Sequence, residues 1–390
     1  MARRKGHAGL TLDFAGALRA YPEGMIQIIA LTDQLRRENV HFDVILPTDR
    51  HLVRVFEASN WAHFISPLIH EPTASSFEHH LPLRRYRTGE EQRAIVDESI
   101  ELLLHQIKVE REILHALEWS LNEITDNVLV HAEAPEGGLV QVTTFREQRR
   151  VQLVVSDGGR GILASMQENL PELNRDTDAI GEAMKQGVTR SADVGQGNGL
   201  AGALRIATGS NGSLTILSGR GEIKVIRPPG KSEHEHKTYV RRGNDAYQGT
   251  MVFIEVMIDE LVDLDEALDF GGGGAADWDY IDATYGEGDG DVVLNVADEA
   301  VGFGTRSAGE SFRIKVDNLA RAKPTSTIVL DWTGVPLVSS SFADEVLGKL
   351  FVEMGPLTFA GRVRSTGMEP LVRKITDRSI MQRAAQSGGT

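Results

Sequence analysis

The chain of 390 residues contains no cysteine, which excludes disulfides, thiolate zinc sites and cysteine nucleophiles together. It has no apolar run near the roughly 20 residues that a spanning helix needs, and its start, MARRKGHAGLTLDF, lacks the apolar core of a signal peptide. A cytoplasmic, soluble protein with no membrane partner is the expectation. Positive charge is also short: 41 Lys and Arg against 56 Asp and Glu give a formal net charge of −15. This argues against a nonspecific nucleic-acid binder, because a phosphate backbone repels such a surface unless basic residues are segregated. The runs RRK at 3, RRYR at 84 and RR at 241 are short and read as solvated surface charge. No GxxxxGK[ST] sequence is present, so a P-loop is not supported.

The composition, 41% hydrophobic and 25% charged, is that of a globular chain, and its length predicts two or three domains. A glycine- and aspartate-rich run from about 268 to 291 has no periodicity and reads as a linker into a new domain. A weaker break lies near 71 to 92. We therefore divide the chain into 1–85, 90–262, a glycine-rich linker at 263–277, and 278–390.

The two outer segments are similar to one another. LTLDFAGALRAYPEGMIQIIALTDQLRRENVHFDVILP reads as strand, loop, amphipathic helix and strand, and STIVLDWTGVPLVSSSFADEVLGKLFVEMG repeats the strand, a serine-rich loop and a helix. Such spacing predicts small α/β layers of parallel strands joined by helical crossovers. The pairing of LTLDFAGA with IVLDWTGV is short, and two buried strands followed by turns would look much the same.

Three patches carry the chemistry of the middle segment. A helix predicted over roughly 93–132 buries Ile113, Leu117, Leu121, Ile124 and Val128 on one stripe, which sets Glu123, Asn127 and His131, four apart, on a neighbouring face. Strand VQLVVSD ends at Asp157 before GGRGI, where a carboxylate can accept a hydrogen bond from an exocyclic amine and Gly159 and Gly161 let a ligand approach the backbone. The third patch, GQGNGLAGAL, places Gly195, Gly197 and Gly199 at a helix start, where exposed amides and the helix dipole favour phosphate. Its GxGxG spacing after a loop does not fit a dinucleotide fingerprint. Taken singly, the patches also read as a wet helix face, an aspartate-glycine turn and a glycine-rich turn.

In this order the patches resemble the GHKL superfamily of gyrase, heat-shock chaperone, MutL and histidine-kinase ATP-binding domains. Glu123, Asn127 and His131 match its N box, Asp157 to Gly161 its first glycine box, Gly195 to Gly199 its second, and Gly249 and Thr250 in QGTMVFIEV its closing strand. The resemblance implies a Bergerat-type α/β sandwich, with helices on one face of a mixed sheet, that binds ATP and Mg²⁺. It also implies Asn127 as the Mg²⁺ ligand, Asp157 as the adenine anchor, Thr250 as that anchor's hydrogen-bonding support, and Glu123 as the general base. The intervening lid, with DTDAIGEAMKQGVTR, is similar to the lids of anti-sigma-factor kinases and places Arg190 within reach of a terminal phosphate. No phosphoacceptor helix precedes the segment, and His115 in EILHALEW lacks the following arginine and proline, which sets the chain apart from sensor histidine kinases.

The C-terminal segment resembles the STAS-like fold of anti-sigma-factor antagonists, with Ser339, Ser340 and Ser341 as candidate phosphoacceptors; Ser340 or Ser341 can equally cap the helix. The N-terminal copy resembles the same fold more faintly and carries Ala20, Tyr21 and Pro22 in place of the serines. The whole reads as α/β (α+β): a central ATPase domain flanked by two small STAS-like domains. It acts either as an ATPase or protein serine kinase, or as a noncatalytic ATP-dependent switch, on a regulatory protein partner and with a homodimer implied by the family. HEHK, from His234 to Lys237, reads as a mobile hairpin loop in preference to a metal site.

Overall fold

The structure is a computed structural model that describes residues 9–73, 80–185, 199–228, 231, 233–242, 246–260 and 279–387. Arg190, Gly195, Gly197 and the linker expected at 263–277 lie outside them. Contacts divide the chain into two units, residues 1–102 with 116–275, and residues 103–115 with 276–390.

In the first unit, β1 (Gly9–Asp13) and β2 (His41–Ile45) pair in parallel around α1 (Pro22–Arg37). Pro22 opens α1 and Arg36 and Arg37 close it, which suits the missing proline N–H and the negative helix end. Helix α2 (Arg50–Ala58) is capped by Asp49, whose side chain accepts from the Leu52 N–H at 2.9 Å, and the short α3 (Trp61–Ile65) follows. Next come β3 (His80–Tyr86), α4 (Gly89–Gln106), α5 (Arg111–His131), β4 (Gly138–Phe145) and β5 (Arg150–Asp157). The unit is completed by α6 (Gly161–Met166), α7 (Asp176–Ala183), α8 (Gly199–Gly209), β6 (Ser213–Gly219), β7 (Gly221–Ile226), β8 (Glu235–Val240) and β9 (Tyr247–Met257).

Strands β3 to β9 form a seven-stranded sheet in the order β3-β4-β5-β9-β6-β7-β8, and every ladder is antiparallel. The mixed sheet implied by family resemblance is thus replaced by an antiparallel one. Central strand β5 is buried without interruption from Val151 to Asp157, which requires cover on both faces. Alternation sends Val154 and Ser156 to one face and Val155 and Asp157 to the other. The face of Val154 is covered by the N-terminal segment: Met25, Ile26, Ile29, Trp61 and Ile65 share one apolar cluster with Leu83, Leu139, Val154, Leu217 and Met251. Polar ties fix the register, with Trp61 Nε1 donating to Gln141 Oε1 at 2.9 Å and Arg85 Nη2 to Asp33 Oδ2 at 2.5 Å. Helices therefore lie on both faces instead of one. A two-stranded sheet cannot bury its own helices unaided, and here the larger sheet supplies the missing wall.

The single helix predicted over 93–132 is two helices. Residues 107–110 contain neither glycine nor proline; the break is held within the second unit by Asn318, whose Nδ2 donates to the carbonyls of Leu104 and Ile107 at 2.9 Å each and whose Oδ1 accepts from the Val109 N–H at 3.1 Å. The stripe of Ile113, Leu117, Leu121, Ile124 and Val128 is buried as its spacing predicts. The HEHK run is no hairpin loop: Glu235, His236 and Lys237 belong to β8, paired with β7.

In the second unit, β10 (Val292–Asn295), β11 (Ile328–Asp331) and β12 (Val363–Thr366) form a parallel sheet in that order, as a strand and crossover pattern predicts. Its helices are α9 (Tyr280–Tyr285), α10 (Val296–Glu299), α11 (Arg306–Ala322), α12 (Ser340–Ala343), α13 (Leu350–Met354), α14 (Pro356–Arg362) and α15 (Pro370–Ser387), with a π-helical turn at Asp344–Lys349 joining α12 to α13. No helix among the described residues is long and apolar enough to cross a membrane.

Candidate functional site

Helix α5 presents the polar line. Thr125 is fixed on three sides, its carbonyl accepting from Tyr86 Oη at 3.1 Å and its hydroxyl accepting from Gln92 Nε2 at 2.9 Å while donating to the Leu121 carbonyl at 2.6 Å. This holds the helix against β3 and α4 and sets the direction of its neighbours. Glu123 and Asn127, one turn apart, are half-buried. Burial first, and the nearby Asp126 charge second, push the Glu123 carboxyl above the ordinary carboxylate range. No hydrogen bond joins either side chain to another described residue.

Gly199 opens α8 directly over them. A β-carbon there would lie 2.7 Å from Glu123 Oε2 and 3.2 Å from Asn127 Nδ2, so only glycine leaves both side chains their present positions. Three residues separated by up to 76 positions in sequence are thereby brought to one point.

Asp157 ends β5 almost completely buried, with 4% exposure. Its Oδ1 accepts the Gly159 N–H at 2.8 Å, and its carboxylate also accepts the backbone N–H of Thr250. Burial outweighs these two donors and raises the carboxyl to about 6. Two amide donors do not fill the four or so lone-pair positions of a carboxylate, so acceptor capacity remains for a ligand amine. Gly159 is constrained from behind, because a β-carbon there would stand 2.0 Å from the Ala132 carbonyl oxygen at the end of α5. Gly161 takes a φ of 80° and Gly249 a φ of 87°, the left-handed region that glycine tolerates best.

Two side chains that the motifs did not reveal tie this corner together. Ser218 Oγ accepts from the Ile162 N–H at 2.9 Å and donates to the Gly249 carbonyl at 3.0 Å, joining the first glycine box to the closing strand. The side chain of Thr250 lies 3.4 Å from that same Ser218 hydroxyl, so Thr250 reaches Asp157 through its backbone. Arg160 donates from its backbone N–H to the Ala132 carbonyl at 2.9 Å and from Nε to the His131 carbonyl at 3.0 Å. His131 thus meets the first glycine box through its main chain. Serine and arginine at such positions carry no spacing signal; their roles follow from the approach of elements distant in sequence.

Helix α7 is anchored by Asp176, whose Oδ2 accepts the Arg220 N–H at 3.0 Å at the turn from β6 to β7. In the second unit, Ser339 is the cap of α12, its Oγ accepting from the Phe342 N–H at 3.0 Å and lying 3.0 Å from Ser341 Oγ. The sequence pointed to Ser340 or Ser341 for that task. Ser340 is the exposed member of the three.

These arrangements bring together a buried acceptor at a strand end, a glycine-lined approach, and an amide beside a carboxylate that no described residue pairs. Comparison with family models matches residues 114–242 to the histidine kinase-, DNA gyrase B-, and HSP90-like ATPase family. It also matches residues 308–372 to a STAS-like domain of unknown function. Glu123, Asn127, Asp157, Gly159, Gly161 and Gly199 lie inside the first match, and Ser339 to Ser341 inside the second. A search of curated proteins found no match. The chain therefore carries an ATP-binding domain of the histidine kinase-, gyrase- and HSP90-like type and, after it, a STAS-like domain.

Proposed function

We propose that the chain is a Mg·ATP-dependent regulatory protein of the anti-sigma-kinase type. Its ATPase domain passes a phosphoryl group to water or to a protein serine, and the STAS-like region signals to a protein partner. Asp157 accepts the exocyclic amine of the base, Asn127 holds the magnesium ion through its amide oxygen, and the amides of the glycine boxes, with Gly195, Gly197 and Arg190, receive the phosphates. Bound Mg·ATP supplies the phosphoryl group and the counter-charge for its transfer. Glu123 accepts the proton of the attacking hydroxyl; a carboxyl raised by burial is a stronger base than an exposed one and suits that task near neutral pH. Ser339, Ser340 and Ser341 are the candidate acceptors in the chain, and a homodimer working in the cytoplasm is part of this reading.

The observation that supports it most is the meeting of Glu123 and Asn127 beneath Gly199. A half-buried carboxylate that no described residue pairs costs stability, and a purely structural role among the described residues does not explain it. Incubation of wild type and Glu123→Ala with Mg·ATP, followed by intact-mass measurement and a phosphate-release assay, tests the chemistry. Phosphate release or an 80 Da-class mass increase (about one phosphoryl group) that disappears in the variant supports it. Nucleotide binding with neither outcome sinks catalysis and leaves a switch, in which lid closure through α7 changes partner affinity by favouring one of two states.

A further inference from the structure

Among the described residues of the second unit, nearly all cations are matched. Arg306, Arg313 and Lys349 converge on Glu345, Arg383 grips Asp344 with two hydrogen bonds, and the others pair with carboxylates or, for Arg362, donate to three backbone carbonyls. Three are left over: Arg373, Lys374 and Arg378, all exposed and all on α15. Their spacing of one, four and five residues puts them on one side of the helix. Residues Val372, Thr376 and Ser379 form the opposite, buried stripe.

The three cations share a shallow, open face of this helix with Pro370, Asp377 and Met381. Met381 is 71% exposed, and Leu371, ten residues earlier on the same helix, is 52% exposed. A chain with net charge −15 has no general excess of cations to scatter over its surface. Unpaired cations and exposed apolar side chains on one helical face are the complement of an acidic segment that also carries apolar residues, since charge steers the encounter and buried apolar area holds it.

We infer that the outer face of α15 is a docking surface for an acidic, apolar-bearing segment of a protein partner. Nucleic acid fits it less well. The exposed methionine and leucine find no counterpart on a sugar-phosphate backbone. The inference does not depend on ATP chemistry, and its test is run without ATP.

A fluorescein-labelled peptide of alternating glutamate-rich and leucine-bearing helical turns is titrated with the full chain at low and high salt, beside a lysine-for-glutamate peptide and a 20-nucleotide single-stranded DNA. The acidic peptide is expected to bind in preference to both controls, to weaken at least tenfold in Arg373→Glu with Arg378→Glu, and to weaken as salt screens the charges. Met381→Ala is expected to weaken it without changing the salt dependence. Circular dichroism melting shows whether each variant keeps the wild-type fold; these side chains are exposed, and unchanged melting is expected. No binding by the folded wild type, binding unaffected by charge reversal, or preference for the oligonucleotide would each overturn the inference.

Discussion

The Gly159 N–H lies 2.8 Å from Asp157 Oδ1, yet the Asp157 carboxyl is raised to about 6. Burial therefore costs the charged form more than two amide donors return. A carboxyl whose proton is held more tightly in the folded state stabilises the fold at low pH, fully below the unfolded value near 4, and loses that contribution as pH rises through about 6. Asp157→Asn removes the charge, so in the absence of nucleotide it is expected to melt higher than wild type at pH 7.5 and to converge toward it near pH 4. The limit is on the order of 3 kcal/mol for a shift of this size. Melting curves from pH 4 to 8 check it; parallel curves would show that the charge is not the cost.

Gly199→Ala separates stability from function. Alanine favours a helix by roughly 1 kcal/mol over glycine, while its β-carbon would press on Glu123 Oε2 and Asn127 Nδ2, both free ends of side chains able to move. Folding stability is expected to stay within about 1 kcal/mol of wild type, with nucleotide affinity or turnover reduced at least tenfold. Calorimetric titration beside thermal melting reads both; equal binding would mean that the glycine serves only the backbone.

What was legible in the sequence was local. The four-residue spacing of Glu123, Asn127 and His131, the strand ending at Asp157, and the parallel strands of the second unit all follow from short-range periodicity and turn chemistry. The break between α4 and α5 was not legible, because it is made by Asn318, about 210 positions away, and by nothing in residues 107–110 themselves. The same holds for Ser218 and Arg160, which matter only once β6, β9 and the first glycine box meet. The two N-terminal strands and the helix between them were legible, but α2, α3 and the completion of their apolar face by the seven-stranded sheet were not.

That shared core makes its own prediction. Trp61, 1% exposed and hydrogen-bonded to Gln141 on β4, is the largest side chain joining the N-terminal segment to the sheet. Trp61→Ala is expected to cost about 3–5 kcal/mol and to lower the unfolding midpoint of the N-terminal segment and the sheet in one transition. Denaturation followed by far-ultraviolet circular dichroism and by hydrogen exchange of β4 and β5 amides tests this. Loss of N-terminal protection with unchanged exchange in β4 and β5 would show two independent cores.

The central claim is that Asp157, Asn127 and the glycines around them form a Mg·ATP site, and isothermal titration of the full chain with Mg·ATP tests it most directly. The wild type is expected to bind one nucleotide per chain, and Asp157→Asn to bind at least tenfold more weakly while remaining folded. A wild type that takes up no ATP, or an Asp157→Asn variant that binds it as tightly as wild type, would contradict the account.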